Sequence, residues 1–206
     1  MKTKNIYIIR HGQTDFNLEN KVQGRGIDSS INAMGLQQAV CFFEAYKNIL
    51  FDKIYVSALR RTKESVQPFI DKGIPYESHA GLDEISWGKH EGQPYDPEMH
   101  KIYLDTINGW ADGELDLTVG GGESPHEVVM RQKEAIAHIM TNEGEENILI
   151  ATHGRAMRMM ICWMLNYPLE KMDVFEHANL CLYQLEYTEN KYTIIQHAST
   201  IHLPDL

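Results

Sequence analysis

The sequence predicts an α/β fold, three layers in the order α-β-α, built around a mixed, mostly parallel central sheet. Two patterns carry this expectation. Short apolar runs alternate with helix-like segments along most of the chain, the order produced when parallel strands are joined by crossover helices. The last two β-rich runs instead flank the turn Glu189-Asn190, so they form an antiparallel hairpin and make the sheet mixed.

The elements follow in order. Asn5 to Ile9 is a compact strand, and a polar, Gly-containing loop from Gly12 to Ser30 leads to a helical pattern from Asn32 to Asn48. Lys53 to Ala58 reads as a buried strand, with Ser57 placed to cap a helix that runs to Asp71 and stops at Lys72-Gly73. Tyr76 to His79 is a short strand, and Gly81 to Gly92 is irregular enough to be loop. Asp96 and Pro97 open one helix of a segment that ends at Gly120-Gly121-Gly122. Ser124-Pro125-His126-Glu127 has the form of a capping box and starts a helix reaching about Asn142. Asn147 to Thr152 is a buried strand, Gly154 to Leu165 a helix, and Leu180 to Tyr187 and Lys191 to His197 are the terminal hairpin.

With 206 residues, 43% hydrophobic and 23% charged, the chain has ordinary globular composition and length for one sizeable core. One domain over residues 1–206 is expected, carrying an inserted helical and loop segment at about 93–123. No apolar stretch approaches the roughly 20 residues of a membrane span, and Met1-Lys2-Thr3-Lys4 leads straight into strand rather than into a secretion signal. Cys41, Cys162 and Cys181 are odd in number and lie in apolar surroundings, which suits reduced, buried thiols and a cytoplasmic location. A net charge of −10 argues against nucleic acid or an anionic membrane as partner. Any anion site must be local.

Three strand-to-helix junctions offer such a site. Arg10-His11-Gly12-Gln13-Thr14 stands where the first strand ends, at the carboxyl edge where open α/β sheets bind ligands. Arg gives a forked donor for phosphate oxygens, His a nitrogen able to attack phosphorus, and Gly close approach to the backbone. Thr14, Asn17 and Gln23 add neutral donors on the same loop. An isolated Arg-His pair is more often structural than catalytic, so the junction alone decides little. His153-Gly154 repeats the arrangement after the later strand. Two imidazoles at one sheet edge could hold a metal, but neither has an acidic residue or Cys beside it at ligand spacing. The third junction is Ser57-Ala58-Leu59-Arg60-Arg61-Thr62, where a helix start favours an anion. Arg60 is expected in the pocket and Arg61 on the helix surface.

Taken together, Arg10-His11-Gly12-Gln13-Thr14 with Asn17, Gln23-Gly24, Ser57-Ala58-Leu59-Arg60-Arg61-Thr62, Leu82-Asp83-Glu84, Gly122-Glu123-Ser124 and Thr152-His153-Gly154 resemble the histidine phosphatase, or phosphoglycerate mutase-like, superfamily. The resemblance spans nearly the whole chain. It implies that His11 is phosphorylated in line, that Arg10, Arg60 and His153 neutralise the equatorial oxygens, and that neither metal nor other cofactor is required. Gly12, Thr14, Asn17, Gln23 and Gly154 would bind the phosphate or substrate. Asp83, Glu84 and Glu91 are all candidates for the general acid by position, and the match to Leu-x-Glu selects Glu84. Where the family continues toward Asp-x-Pro-Leu-Thr, this chain has Asp28-Ser29-Ser30-Ile31-Asn32, and the missing proline should change loop stiffness more than chemistry.

The resemblance further implies a small phosphorylated metabolite as substrate. The short insertion favours a phosphatase, which must admit water, over a phosphoglycerate mutase, which must exclude it. A catalytically inactive binding protein is the third reading, disfavoured by the full set of Arg10, His11, Arg60, Glu84 and His153. Asp112, Glu114 and Asp116 are expected near the pocket mouth, disfavouring highly anionic substrates. The exposed edge of the terminal hairpin is compatible with a monomer or a homodimer.

Overall fold

A computed structural model describes residues 3–203. Met1 and Lys2, part of the amino-terminal reading above, lie outside the described residues. Among these residues six strands form one sheet: β1 (Lys4–Arg10), β2 (Lys53–Val56), β3 (Tyr76–Ser78), β4 (Asn147–Thr152), β5 (Leu182–Thr188) and β6 (Lys191–Ser199). Their order is β3-β2-β4-β1-β5-β6. The pairs β3/β2, β2/β4 and β4/β1 are parallel, while β5 runs antiparallel to both β1 and β6. The fold is α/β with a mixed, mostly parallel sheet, as the alternating pattern predicts.

Period-two alternation in the strands builds two cores. Ile6 and Ile8 of β1 join Ile148 and Ile150 of β4 on one face; Tyr7 and Ile9 join Leu149 and Ala151 on the other. The first face is covered by α5 (Pro97–Ala111), α6 (Pro125–Met140) and α7 (Gly154–Met164), the second by α2 (Ala33–Tyr46), α3 (Arg60–Ser65) and α4 (Gln67–Asp71). A one-turn helix, α1 (Asp15–Leu18), follows β1. Met157, Met159, Met160 and Met164 are all buried and fill the first core. Each fully buried aliphatic side chain contributes roughly 1.5 to 3 kcal/mol, so the central strands dominate the stability.

Local chemistry sets the boundaries. Ser124 and Glu127 form the predicted capping box, and Asp96 accepts from the Met99 N–H with Pro97 in the first turn. Glu189 and Asn190 both have positive φ, 54° and 61°, the conformation of a tight hairpin turn. Three expectations fail. The helix predicted to run to Asp71 is interrupted at Val66, because Pro68 has no N–H with which to continue it. Ser57 is not the cap of α3: Leu59 is the cap residue, without a side-chain bond of its own, and Ser57 Oγ accepts the Leu59 N–H ahead of the helix at 3.1 Å. Cys41 is half-buried rather than buried, although all three cysteines are free. The segment at 93–123 is not peripheral: Trp110, Leu115 and Val119 enter the first core, and Trp110 Nε1 donates to the Leu117 carbonyl at 2.9 Å. No helix among the described residues is long and apolar enough to cross a membrane.

Candidate active site

The parallel register between β1 and β4 pairs Arg10 with Thr152. Each strand is followed at once by a histidine, so the register alone brings His11 and His153 side by side. Their ring centroids are 5.2 Å apart, and the His11 N–H donates to the Thr152 carbonyl at 3.0 Å. His11 is 2% exposed. Its Nδ1 lies 2.7 Å from the Gly12 carbonyl, a partner that can only accept, so the ring hydrogen is on Nδ1 and the lone pair on Nε2. Among the described residues Nε2 has no hydrogen-bond partner.

The loop holding this ring is clamped from three sides. The Gly12 N–H donates to Ser65 Oγ at 2.8 Å, and Asn179 Nδ2 donates to the His11 carbonyl at 3.0 Å. On the third side α2 packs backbone against backbone. A methyl group on Gly35 would stand 2.3 Å from the Gln13 carbonyl oxygen, and one on Gly12 would stand 2.8 Å from that of Gly35. Only glycine allows that approach.

Two guanidinium groups face the histidines. Arg10 donates through Nη1 to the His177 carbonyl at 2.6 Å, while its buried Nε has no partner. Arg61 is fully buried; its Nε donates to His153 Nδ1 at 3.1 Å, and Nη1 and Nη2 donate to the carbonyls of Ile27 and Gly24. The expectation for the two adjacent arginines is therefore reversed. Arg60, the predicted pocket residue, has a side chain 58% exposed and paired with Asp28. The reason is helical phase: α3 begins at Arg60, whose side chain leaves toward solvent, and the next position, 100° further round, faces the sheet edge. Placing both at a helix start could not separate them.

His153 is the centre of a buried chain of hydrogen bonds. Nδ1 accepts from Arg61, so Nε2 carries the hydrogen and donates to Ser57 Oγ at 2.8 Å. Ser57 Oγ lies 3.0 Å from Thr62 Oγ1, which donates to the Leu59 carbonyl at 2.8 Å. Ser57 thus orients the second histidine instead of capping a helix.

Glu84 comes from the loop after β3. Its Oε1 accepts the Ile85 and Ala156 N–H groups at 3.0 and 2.8 Å, and Oε2 accepts that of Arg155 at 3.1 Å. The carboxylate therefore supplies the capping bonds at the start of α7 that His153, the cap residue, does not. Arg131 holds the loop itself, donating to the carbonyls of Gly81, Asp83 and Glu84 and to the Glu123 carboxylate. The rival carboxylates serve elsewhere: Asp83 accepts the Ala58 N–H and pairs with Arg25, and Glu91 accepts the Trp87 N–H. Thr14 and Asn17 form a capping box on α1, and Gln23 Nε2 donates to Thr14 Oγ1 at 2.8 Å. Gly154 lies against Arg10 and His177. Asp116 has a side chain 87% exposed and paired with His126.

The electrostatics follow from this packing. Burial, and then the charges of Arg61 and Arg10, hold the His11 imidazole well below its ordinary pKa. His153 is lowered in the same way by burial, Arg61 and His11. His177 falls to about 4, through burial and the charge of Arg10. Arg61 is itself lowered by burial to about 10, opposed by Glu84, so it remains charged at neutral pH. Two neutral imidazoles and two cations around one strand edge are suited to a dianion.

Comparison with known proteins decides the family. Residues 6–200 match the family described as histidine phosphatase superfamily (branch 1). The chain belongs to this superfamily. Among relatives of this superfamily member, a fructose-2,6-bisphosphatase of Saccharomyces cerevisiae is 29% identical over 173 residues, 82% of this chain and 36% of that protein. The chain thus spans about a third of the length of that relative. A protein named as a probable phosphoglycerate mutase, GpmB, of Salmonella choleraesuis is 27% identical over 191 residues, covering 91% of this chain and 86% of its own length. Solved structures share the fold. Bacillus stearothermophilus YhfR superposes with a TM-score of 0.86 at 24% identity, covering 97% of this chain and 99% of that one. The alpha-ribazole phosphatase of Shigella flexneri gives 0.83 at 21% identity, covering 95% and 96%.

Several residues of this candidate site escape a sequence reading. Arg61 and Ser57 sit inside a recognised motif but were expected on the helix surface and at a helix cap, and Ser65 lies just past it with no role assigned. Asn179 and His177 lie on an irregular loop with no motif, and reach the site because the Leu180 N–H donates to the Arg10 carbonyl. Arg131 was visible only as a polar residue of a helix. Its four partners become apparent when α6 is seen to cross the Glu84 loop.

Proposed function

We propose that this protein is a phosphomonoesterase that passes the phosphoryl group of a small phosphorylated metabolite through His11 to water. The observation that carries the reading is His11 itself: a neutral imidazole with Nδ1 fixed as donor, so that the Nε2 lone pair is left free in the field of the Arg61 and Arg10 charges. Nε2 attacks phosphorus as the bond to the leaving oxygen breaks, and the two guanidiniums carry the charge on the equatorial oxygens. Glu84 gives its proton to the leaving oxygen. Oε2 accepts one N–H where Oε1 accepts two, so Oε2 is the oxygen with a free position for that proton. In the second half-reaction Glu84 takes a proton from water, the water oxygen attacks phosphorus, the N–P bond breaks and inorganic phosphate leaves.

His153 enters this scheme through Arg61. Its two nitrogens are committed to Arg61 and Ser57, so it orients the guanidinium that meets the phosphate. Arg61 replaces Arg60 as the phosphate ligand. Gly12, Thr14, Asn17, Gln23 and Gly154 shape the loop and the helix start around the anion. The scheme uses only side chains of this chain, so activity in EDTA is expected.

The resemblance to a named mutase makes phosphoglycerate isomerisation the competing reading. Both are tested by incubating the protein in EDTA with a panel of sugar phosphates, phosphoglycerates and nucleoside monophosphates. Phosphate release exceeding isomerisation by at least about tenfold fits the proposal. Interconversion of phosphoglycerates without phosphate release would replace it with the mutase, and no turnover of any kind would favour a binding protein.

A further inference from the structure

Outside the phosphatase site, Glu77, His79 and His138 place one carboxylate oxygen and two ring nitrogens within 4.8 Å of one another. His79 Nε2 and His138 Nε2 converge on a single atom, Glu77 Oε1, at 2.7 and 3.0 Å. The two ring centroids are 4.9 Å apart, with the ring planes tilted by 52°. Glu77 and His79 are two apart and leave the same side of β3 and its extension, while His138 projects from the last turn of α6. From these positions we infer that the three residues form a binding site for a divalent zinc-type cation, distinct from the catalytic centre.

The donor set suits that class of ion. Two imidazoles and one carboxylate are borderline ligands that select Zn2+, with Ni2+ and Cu2+ as chemical competitors, over Mg2+ or Ca2+. Ligand atoms about 2.0 to 2.2 Å from a tetrahedral zinc stand about 3.3 Å from one another, so the hydrogen-bond spacings of 2.7 and 3.0 Å seen here open by a few tenths of an ångström when the ion replaces the ring hydrogens. Binding requires each Nε2 to present its lone pair, with the ring hydrogen on Nδ1. Glu77 Oε2 is held by Lys53, which fixes the carboxylate from outside the ligand set. The carboxyl end of the 16-residue helix α6 also favours a cation beside His138. The residues remain accessible, with side chains 33%, 21% and 55% exposed for Glu77, His79 and His138. Solvent water completes the shell.

Such an ion ties β3, an edge strand of three residues, to the helix packed beside it. It is a structural site and takes no part in phosphoryl transfer.

The test is calorimetric titration of chelator-treated protein with ZnCl2, read together with thermal unfolding and the imidazole 1H–15N spectrum. The expected result is one equivalent bound, shifts in the ring signals of His79 and His138, and a rise of about 5 °C in Tm at a hundredfold excess over the dissociation constant. His138→Ala, at an exposed position, should fold and keep wild-type phosphatase activity while losing at least about tenfold in zinc affinity and the Tm shift. His79→Ala should behave alike. Absence of an equivalent of bound zinc would overturn the inference, as would binding unchanged in both variants. Zinc binding kept in both variants but lost in His11→Ala would place the ion at His11 instead, and would overturn it too.

Discussion

Two neighbouring arginines differ here by burial alone. Arg61 has no exposed surface and joins His153 to two loop carbonyls; Arg60 is paired with Asp28 in solvent. Arg61→Ala should lower kcat/KM by about 100- to 1,000-fold, the usual effect of removing one donor from a developing oxyanion. Arg60→Ala should lower it less than about threefold, since a surface ion pair contributes under about 1 kcal/mol. Steady-state kinetics on any accepted phosphomonoester separates the two, and equal losses would remove the assignment. At this scale the sequence was informative about residue type and mute about direction. His11, Glu84 and His153 stand at a strand end, in a loop and at a helix start, where the side chain has one way to go. Arg60 and Arg61 share a helix start, and which of them faces inward depends on where α3 begins, a boundary set by packing. Asn179 is bound to the His11 carbonyl across a long sequence separation that no local pattern encodes.

At the scale of elements, the acid loop is held by a helix. Arg131 of α6 donates to the backbone carbonyls of Gly81, Asp83 and Glu84 and to both oxygens of Glu123. Burial raises and Arg131 more than offsets the Glu123 pKa, which is lowered overall. Arg131→Ala should therefore reduce kcat far more than it changes KM and should destabilise the fold by about 3 kcal/mol, through the carboxylate and carbonyls left unpaired. Arg131→Lys should recover part of the stability without restoring kcat, because an ammonium cannot span the same partners. A kcat unchanged in Arg131→Ala would show that the loop holds itself. The contact of α2 with the His11 loop is equally specific. Gly35→Ala would bring a methyl to 2.3 Å from the Gln13 carbonyl oxygen, so the loop must move, and kcat/KM should fall at least about tenfold with α2 still helical by circular dichroism. Element boundaries were largely legible, since the capping boxes, Pro97 and the Glu189-Asn190 turn are local signals. The break at Val66 was not read, although Pro68 announces it.

For the molecule as a whole, burying neutral imidazoles beside arginines ties stability to pH. The folded-state pKa values of His11 and His153 lie well below 6.5, and that of His177 is about 4. Between those values and 6.5 the unfolded chain binds more protons than the folded one. Stability is therefore full above about pH 6.5 and is lost as pH falls, by up to roughly 1.4 kcal/mol per pH unit for each histidine involved. Urea titrations at pH 7.5, 6.5 and 5.5 should show the midpoint constant over the first interval and falling over the second. The same property predicts kcat/KM without an acid limb near 6.5, because His11 stays neutral there; an inflection at 6.5 would mean that the nucleophile titrates as in water. The sheet that creates this environment was readable from alternation of strand and helix, but the register that sets His11 beside His153 became visible only with the paired strands.

The most direct test of the account is rapid-quench trapping of the phosphoenzyme. Wild-type protein mixed with 32P-labelled substrate in EDTA, quenched within milliseconds and digested under alkaline conditions should give an acid-labile, base-stable phosphate on the peptide containing His11. The label should be absent from His11→Ala and should accumulate in Glu84→Gln when the leaving group needs no proton. Turnover with no trapped label in wild type or in Glu84→Gln, or label on another residue, would contradict the assignment of His11 as the nucleophile.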